Sequence, residues 1–375
     1  MSHVSSHSPH GQSPLRTVQV LGGSAVSGTH VRSLAEGLVA RGVRVTVCAP
    51  GEADRTYDFT GVGAVHVPVP RSSDPAAVTA LRMACLGADL VHAHGLHAAF
   101  RATLALGGRR VPFVVTWHTR SQAEGARGHL LRLLERRVAR SASVVLGTSS
   151  ELVDRARSRG ARDARLGAVA LPAPRRPDDD PELLRSKARA EVGATGRPLL
   201  MAVGTLERHR GYETLLDAAR VWRGLDPPPL VVIAGEGPLR AVLQRRIEDE
   251  GLPVRLVGRR DDITDLIAAA DVALLPSSRE SRSVLAQEAL HARVPLVAAA
   301  VGGVPELVGN AAELVPPGDA EAFADAVVGL LADPGRREVL QDNGVRQAAT
   351  WPTEDETVAQ VLSVYDELTR SGPLP

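Results

Sequence analysis

Two glutamates eight residues apart are the first candidates for chemistry, within residues 277–290 (SSRESRSVLAQEAL). The apolar residues after Ser283 recur at helical spacing, and Glu288 follows Val284 by one turn, so its carboxylate points along an apolar face. Glu280 stands just before this predicted helix. The Glu288 carboxylate would then face a groove, and the Glu280 carboxylate would lie at the start of the helix. Because the chain holds 43 acidic residues, coincidence is the open alternative.

A basic loop within residues 203–219 (VGTLERHRGYETLLDAA) is the second candidate. It places Arg208, His209 and Arg210 between a predicted strand and an amphipathic helix. Cations are unfavourable beside a helix N-terminus, because the helix dipole is already positive there. They become favourable if an anion binds between them. The loop therefore predicts an anion site, with a solvated basic turn as the alternative.

A glycine-rich loop, Gly22–Gly28 (GGSAVSG), joins the first predicted strand to the first predicted helix. Such a loop lets backbone N–H groups approach a phosphate at the helix N-terminus. The loop lacks the G-x-G-x-x-G spacing, and no acidic residue follows at the distance that marks a dinucleotide ribose. An NAD enzyme is therefore disfavoured, and a plain tight turn is an equal alternative to a phosphate loop.

Four histidines lie near predicted strand ends, in residues 92–97 (HAHGLH) and 116–119 (TWHT). Strand alternation places His92 and His94 on one face, which is compatible with a metal. No carboxylate or thiol follows at ligand spacing, so we predict no metal site. His118 ends a buried strand and should lie at the cleft, although a hydrogen-bonded structural histidine is the competing interpretation.

Short valine-rich segments alternate with helical patterns, which predicts parallel sheets covered on both faces. We predict an α/β protein of two Rossmann-like, doubly wound domains that face a cleft. The predicted strands are 17–21, 43–49, 89–94, 112–117 and 143–147 in the first domain, and 199–204, 230–235, 254–258, 271–276 and 295–300 in the second. The predicted parts are a disordered tail (1–15), an N-terminal domain (16–171), a linker (172–197), a C-terminal domain (198–350) and a C-terminal helix (351–375) that crosses back to the first domain.

The composition disfavours several classes of protein. The net charge is +1, so no bulk attraction to nucleic acid is expected. Cys48 and Cys85 supply neither a disulfide framework nor zinc-ligand spacing. No apolar run reaches the roughly 18–20 residues of a membrane span, and the first residues do not form a signal peptide. We expect a cytoplasmic protein; a peripheral membrane contact through the arginine-rich helix 127–140 is an alternative to an ordinary surface helix.

Taken together, these segments resemble glycosyltransferase family 4 enzymes of the GT-B type over about residues 16–370. The strongest match is 276–308 (PSSRESRSVLAQEALHARVPLVAAAVGGVPELV), where the family has E-x7-E, then E-A-x-A-x-G-x-P-V-V-A, then G-G-x-x-E. Supporting matches are 91–95 (VHAHG), 235–238 (GEGP) and 271–277 (DVALLPS). Since Lys187 is the only lysine among 44 basic residues, we expect a bacterial source with a G+C-rich genome.

The resemblance implies a role for each candidate residue. Glu288 would bind the ribose hydroxyls of a nucleotide sugar, and the backbone amides of Val284 and Leu285 would face its diphosphate. The implied catalytic residues are Glu280, His118 and Arg210; Gly204, Thr205 and Arg208 would also bind the donor; Gly22, Gly23, Gly28 and His94 would line the phosphate loop and the acceptor side.

The chain departs from the family pattern at four places, one of which, Arg293 in place of a small residue in the A-x-G-x-P stretch, has no interpretation. The family's E-G-F-G is Glu280-Ser281-Arg282-Ser283 here, which bears on the sugar pocket. In the pattern G-R-L-x-x-x-K-G, Thr205 replaces the arginine without its charge, and Arg210 replaces the lysine by another cation. A Gly-Gly pair of the first loop is Ala25-Val26.

The implied activity is transfer of a hexose-type sugar from a UDP- or GDP-sugar to a hydroxyl acceptor, with retention of anomeric configuration and without a metal or cofactor. A role in cell-envelope or glycoconjugate biosynthesis would follow, with the nucleotide sugar and an unidentified acceptor as partners. Two alternatives remain open at this point: a nucleotide-sugar epimerase of the same fold, and a nucleotide-sugar-binding protein that has lost turnover.

Overall fold

Two parallel β-sheets, one in each half of the chain, organise the computed structural model, which describes residues 14–22, 25–70, 74–119, 125–170 and 180–370. Nearly all of the predicted tail, the first part of the predicted linker and the candidate residue Gly23 lie outside these ranges. The prediction of two doubly wound α/β domains is confirmed.

The first sheet has seven parallel strands in the order β3-β2-β1-β4-β5-β6-β7. Its strands are β1 Arg16–Leu21, β2 Arg44–Ala49, β3 Val65–Pro68, β4 Leu90–His94, β5 Phe113–Trp117, β6 Val144–Gly147 and β7 Ala164–Leu166. Its helices are α1 Ala25–Ala40, α2 Ala53–Tyr57, α3 Pro75–Ala84, α4 Leu96–Leu106, α5 Gly125–Ser141 and α6 Ser150–Ser158. Every residue of β4 and β5 is buried, as expected for strands covered on both faces.

The second sheet has six parallel strands in the order β10-β9-β8-β11-β12-β13. Its strands are β8 Leu199–Val203, β9 Leu230–Ala234, β10 Val254–Gly258, β11 Val272–Leu275, β12 Leu296–Ala299 and β13 Ala312–Val315. A 3-10 turn lies at Arg208–Arg210. The helices of this half are α7 Pro181–Val192, α8 Tyr212–Trp222, α9 Arg240–Glu250, α10 Ile263–Ala269, α11 Val284–His291, α12 Val304–Val308, α13 Ala320–Ala332, α14 Pro334–Ala348 and α15 Glu354–Arg370.

The strand order reverses once in each sheet, between β1 and β4 and between β8 and β11. In open parallel sheets, such switch points leave a crevice at the carboxyl ends of the strands, where ligands bind. Gly22, directly after β1, and His94 at the end of β4 lie at the first switch point. The loops after β8 and β11 meet at the second.

Helix α15 packs on the first domain although it follows the second in sequence, which confirms the predicted crossing helix. Val358, Val361, Val364 and Tyr365 are buried in one apolar cluster with residues of α1, β1 and β2. The helix approaches α1 closely at Gly37, where a Cβ would collide with the Val358 side chain.

Strands β3, β7 and β13 were not predicted from the sequence patterns. Each lies at the edge of its sheet and has only three or four residues. Runs this short carry no readable periodicity, and edge strands need not be apolar throughout because one side faces solvent.

No helix in the described ranges is both long enough and apolar enough to cross a membrane. Cys48 and Cys85 are both buried free thiols.

We expect Gly37→Ala to lower the free energy of unfolding by about 1–3 kcal/mol, because the added methyl group must displace Val358 and with it α15. The matched control is Gly329→Ala in α13, where a Cβ meets no atom within 4 Å. That change should raise stability by about 0.5–1 kcal/mol, since alanine is the better helix former. Urea unfolding of both variants measures the difference; equal effects would contradict the close packing of α1 and α15.

Candidate active site

The loop between β11 and α11 forms the floor of the site. Ser283 caps α11, and its hydroxyl accepts a hydrogen bond from the Ala286 amide at 3.2 Å. The amides of Val284 and Leu285 precede the first bonded turn of the helix and so remain available to an anion. The predicted helix start at Val284 is thus found in the structure.

An ion pair joins this loop to the loop that follows β8. Arg210 Nη1 donates to Glu280 Oε2 at 2.8 Å, and the two side chains are only 27% and 12% exposed. Burial raises the pKa of the Glu280 carboxyl, and the neighbouring Arg210 opposes that shift. Arg210 Nε is buried and has no hydrogen-bond partner within the described ranges. The guanidinium therefore keeps a donor beyond the one that Glu280 uses.

Two glycines allow the loops to approach this closely. Gly211 has φ +71°, and a Cβ there would collide with the Pro276 carbonyl oxygen of the β11–α11 loop. Gly302 has φ +53°, and a Cβ there would collide with the Glu280 carbonyl oxygen. Both positions combine left-handed backbone with contact against another backbone, which only glycine accommodates without strain.

Glu288 lies one turn into α11 and is half-buried. Burial raises the pKa of its carboxyl. Its side chain accepts no hydrogen bond from any residue of the described ranges. A half-buried carboxylate without a donor is unfavourable in itself and is relieved by a ligand that supplies hydroxyl groups.

Two hydrogen bonds close the cleft between the domains. Thr148, after β6, shares a hydrogen bond of 3.0 Å with the Ser281 hydroxyl. The Ser150 amide, at the start of α6, donates to Glu306 Oε2 at 3.0 Å. The carboxylate of the G-G-x-x-E motif therefore caps a helix of the opposite domain, where the helix dipole favours negative charge.

A cavity of about 470 Å³ lies between the two domains at this point. It contains the Arg210–Glu280 ion pair and is lined mainly by polar groups. The lining residues are Thr119, Glu151, His209, Arg210, Ser278, Arg279, Glu280, Ser281, Val301 and Gly302.

The first domain contributes a buried chain of hydrogen bonds that ends behind Thr119. His118 Nε2 and His94 Nδ1 are 3.4 Å apart, and His94 Nε2 is 3.0 Å from Gln19 Oε1. Because a carboxamide oxygen can only accept, His94 must carry its proton on Nε2. Its Nδ1 is then an acceptor for the Nε2 proton of His118.

The chain of hydrogen bonds continues from Gln19 to Tyr365 of α15. Gln19 Nε2 donates to the Tyr365 hydroxyl at 3.0 Å, and Tyr365 lies 2.7 Å from His92 Nδ1. His92 Nε2 lies 2.7 Å from the Thr116 hydroxyl. All of these groups are buried, so each hydrogen bond satisfies a polar group that has no access to water.

Three imidazoles surround one point, those of His30, His94 and His118. Their ring centroids are 5.6, 5.3 and 5.7 Å apart, and one nitrogen from each ring lies within 4.8 Å of the others. Three neutral histidines could in principle ligate a metal. The positive charge of Arg282, which helps to lower the pKa of His30, would equally oppose a cation there. Metal independence stays a prediction.

The candidate residues are distributed unevenly around the cleft. Glu280 and Arg210 line the cavity, while His118 and His94 are buried behind it. Thr205 and Arg208 are exposed and do not line the cavity. Gly204, half-buried, accepts a hydrogen bond from the Tyr212 hydroxyl through its carbonyl oxygen.

The placement of Gly28 in the phosphate loop was wrong. Helix α1 already begins at Ala25, so Gly28 lies inside the helix. A Cβ there would collide with the Tyr57 ring, so this glycine serves the packing of the helix. Gly22 remains in the loop after β1, half-buried near Ala98.

Sequence reasoning assigned no role to five residues that lie at or beside the cleft. These are His30, Thr148, Glu151, Arg279 and Glu306. Glu306 had a signal, since it belongs to the G-G-x-x-E motif. Arg279 lies next to Glu280 in the β11–α11 loop and was passed over. His30, Thr148 and Glu151 carry no motif by themselves, because their proximity to the site arises from the packing of separate elements.

Comparisons with known proteins agree with this architecture. Residues 185–347 match the family model described as glycosyl transferases group 1, and residues 27–172 match a glycosyl transferase 4-like domain. The chain is 31% identical over 303 residues to alpha-D-kanosaminyltransferase of Streptomyces kanamyceticus, covering 74% of this chain and 77% of that protein. It is 29% identical over 355 residues to D-inositol 3-phosphate glycosyltransferase of Corynebacterium urealyticum, covering 87% and 81%.

Among solved structures, the HepE protein of Anabaena in complex with UDP superposes with a TM-score of 0.77 at 19% identity, covering 94% of this chain and 100% of that one. A second structure of HepE, with UDP-glucose, has a TM-score of 0.75. At this level of identity, the likeness concerns the fold.

The buried histidines predict acid sensitivity. Burial holds the pKa of His30 at about 4 and that of His92 at about 3, and lowers the pKa of His94 and His118 well below the ordinary value. Below the unfolded pKa of about 6.5, the unfolded chain therefore binds more protons than the folded chain. Stability present at neutral pH should fall as the pH drops from about 6.5 toward 4, by up to about 1.4 kcal/mol per pH unit for each histidine.

Urea unfolding at pH 7.5, 6.5, 5.5 and 4.5 measures this loss. The raised pKa values of Glu280 and Glu288 act in the opposite sense, since those carboxyls favour the folded state when protonated. NMR titration of the histidine ring protons separates the two effects, because the four buried rings should not titrate between pH 7 and 5. Ordinary titration of these rings, or constant stability down to pH 5, would contradict the burial argument.

Proposed function

Since the chain belongs to the group 1 glycosyltransferases of the family 4 type, with a GT-B fold, we propose that it moves a hexose-type sugar from a UDP- or GDP-sugar to a hydroxyl acceptor with retention. The observation that carries the proposal is the arrangement around one loop. The Arg210–Glu280 ion pair, the open start of α11 and the carboxylate of Glu288 lie together at the second switch point.

Glu288 is proposed to bind the ribose of the donor. Its carboxylate is half-buried and receives no hydrogen bond from the described residues, so two vicinal hydroxyls would satisfy it. The complexes of HepE with UDP and UDP-glucose support a nucleotide-sugar donor, and UDP is the first donor base to test.

The diphosphate is proposed to lie at the start of α11. The Val284 and Leu285 amides would donate to an anion at that helix end, and the Arg210 guanidinium, which lines the cavity, would add positive charge. Arg208 is exposed and would have to turn inward to contribute, while Thr205 could offer only a hydroxyl.

Glu280 and His118 are proposed to surround the transferred sugar. Glu280 lines the cavity, and its ion pair with Arg210 holds the carboxylate in place. His118 is neutral at physiological pH because burial lowers its pKa, so it can form hydrogen bonds with a sugar but does not supply positive charge. His94 and the hydrogen-bonded chain behind it hold the orientation of the His118 ring.

In the proposed reaction, the bond between the anomeric carbon and the diphosphate oxygen breaks while the acceptor oxygen bonds to the same face of that carbon. The acceptor proton passes to the departing phosphate oxygen, so no protein base is consumed. The negative charge that grows on the diphosphate is stabilised by the helix-start amides and Arg210. These donors act without a metal, which is why we propose metal-independent transfer.

The first test is a thermal-shift series with UDP, GDP, ADP and their common sugar conjugates, in the presence of EDTA. A ligand at 100 times its dissociation constant should stabilise the protein by about 2.7 kcal/mol. We expect one nucleotide to stabilise the wild type. Glu288→Gln should bind it about 10- to 100-fold more weakly, because charge-assisted hydrogen bonds to the ribose are lost. The control Glu321→Gln alters an exposed glutamate of α13 and should bind normally.

The same donor, incubated with candidate acceptors, tests the reaction itself. A product whose anomeric configuration matches that of the donor, determined by NMR, is the expected result. A donor converted into its epimer without acceptor would indicate an isomerase instead. Binding without any turnover would indicate a protein that retains only the donor site.

Arg210 can be tested against the lysine that the family pattern has at this position. We expect Arg210→Ala to lower kcat/KM by about 100-fold, because the cation that would stabilise the diphosphate is lost and the Glu280 carboxylate loses its ion pair. Arg210→Lys should recover most of the activity. Equal rates for the alanine variant and the wild type would exclude Arg210 from the phosphate site.

A further inference from the structure

An arginine-lined groove lies on the first domain, away from the interdomain cleft. It runs between the end of α4 and the last turns of α5 and has a volume of about 740 Å³. Its basic lining residues are Arg109, Arg136, Arg137 and Arg140. These residues directly precede β5 and β6, so the groove lies at the amino ends of the strands, whereas the cleft lies at their carboxyl ends.

The four guanidinium groups form neither an ion pair nor a hydrogen bond with any residue in the described ranges. Glu135 carries the only side-chain carboxylate on α5, and it is buried. It forms ion pairs with Arg155 and Arg159, each with a nitrogen–oxygen distance of 2.8 Å. Codon bias can explain why the chain uses arginine. It does not explain why these arginines form no ion pair with a described residue, when others, such as Arg246, do.

Large apolar side chains are exposed beside the same arginines. Leu130 and Leu133 of α5 are 57% and 60% exposed, and Leu133 lines the groove. At 100° per residue, both leucines lie on the outward face of α5 with Arg137 and Arg140, opposite the buried Glu135 and Ala139. Exposed leucines between uncompensated cations are typical of a helix that lies in a membrane interface.

We propose that this groove and the outward face of α5 bind the surface of a bilayer that contains anionic phospholipid. The arginines would contact lipid phosphates, and the leucines would enter the boundary of the acyl chains. A nucleic acid fits less well, because the groove offers no exposed aromatic ring for base stacking; Phe113, its only aromatic lining residue, is buried. The inference does not depend on the identity of the donor or of the acceptor.

Co-sedimentation of the full-length protein with vesicles tests the proposal. Vesicles of phosphatidylglycerol and phosphatidylcholine should bind the protein at low salt, and vesicles of phosphatidylcholine alone should not. Binding to the anionic vesicles should weaken at 0.5 M salt, because the charges at this surface are exposed. The triple variant Arg136→Gln, Arg137→Gln and Arg140→Gln should bind on the order of 100-fold more weakly, about fivefold for each arginine.

Matched controls separate this surface from the total charge of the protein. Arg223→Gln, Arg245→Gln and Arg346→Gln together remove three exposed arginines of the second domain that form no ion pair with described residues. This variant should bind like the wild type. Leu130→Ser with Leu133→Ser should weaken binding, whereas Leu183→Ser, at another exposed leucine, should not.

Equal loss of binding in the two triple variants would overturn the proposal, as would failure to bind anionic vesicles at low salt. Binding to soluble heparin without binding to vesicles would assign the groove to a polyanion instead. Nucleotide-dependent thermal shifts of the groove variants should match the wild type. Donor binding and vesicle binding can therefore fail independently of each other.

Discussion

The ion pair between Arg210 and Glu280 is the contact on which the geometry of the cleft depends. It joins the loop after β8 to the loop after β11, the two strands at which the order of the second sheet reverses. A carboxylate as buried as that of Glu280 needs a charged partner, and Arg210 is that partner. The loops can meet only because Gly211 leaves space for the Pro276 carbonyl group. The start of α11, where the diphosphate is proposed to lie, is then held near the Arg210 guanidinium.

A second set of polar contacts sets the position of the first domain over this site. The Ser281 hydroxyl, one residue beyond the ion pair, bonds to Thr148, and Glu306 caps α6 through the Ser150 amide. The first contact joins two hydroxyl groups, and the second joins a backbone amide to a carboxylate. A hydrogen bond between neutral groups is worth about 0.5–1.5 kcal/mol and one to a charged group about 1.5–3 kcal/mol, so neither contact is strong by itself.

The core of the first domain contains polar side chains among its apolar ones, and these must be hydrogen-bonded because they have no access to water. Gln19, His92 and His94 lie on the central strands β1 and β4 and are buried. The hydroxyl group of Tyr365 in α15 bonds to both Gln19 and His92. Helix α15 therefore supplies a hydrogen-bond partner for buried polar side chains of the first domain. The neutral imidazoles are stable there only while they remain hydrogen-bonded, and the line of bonds leads to His118 beside the cleft.

Local patterns in the sequence were sufficient for the two α/β domains and for the helix start at Val284, because apolar runs and apolar spacing are properties of neighbouring residues. They also singled out Glu280, Glu288 and Arg210 as candidates, whose roles stay predictions. They could not show that Gly28 lies inside α1, because the sequence does not distinguish a glycine that packs against the Tyr57 ring from a glycine in a loop. The edge strands β3, β7 and β13 were too short to carry a period. Only the tertiary structure brought His30 beside His118 and Glu151 to the cleft, and left Arg136, Arg137 and Arg140 of α5 without an ion pair to any described residue. Those relations join residues from separate elements, and no local pattern encodes a distance in space.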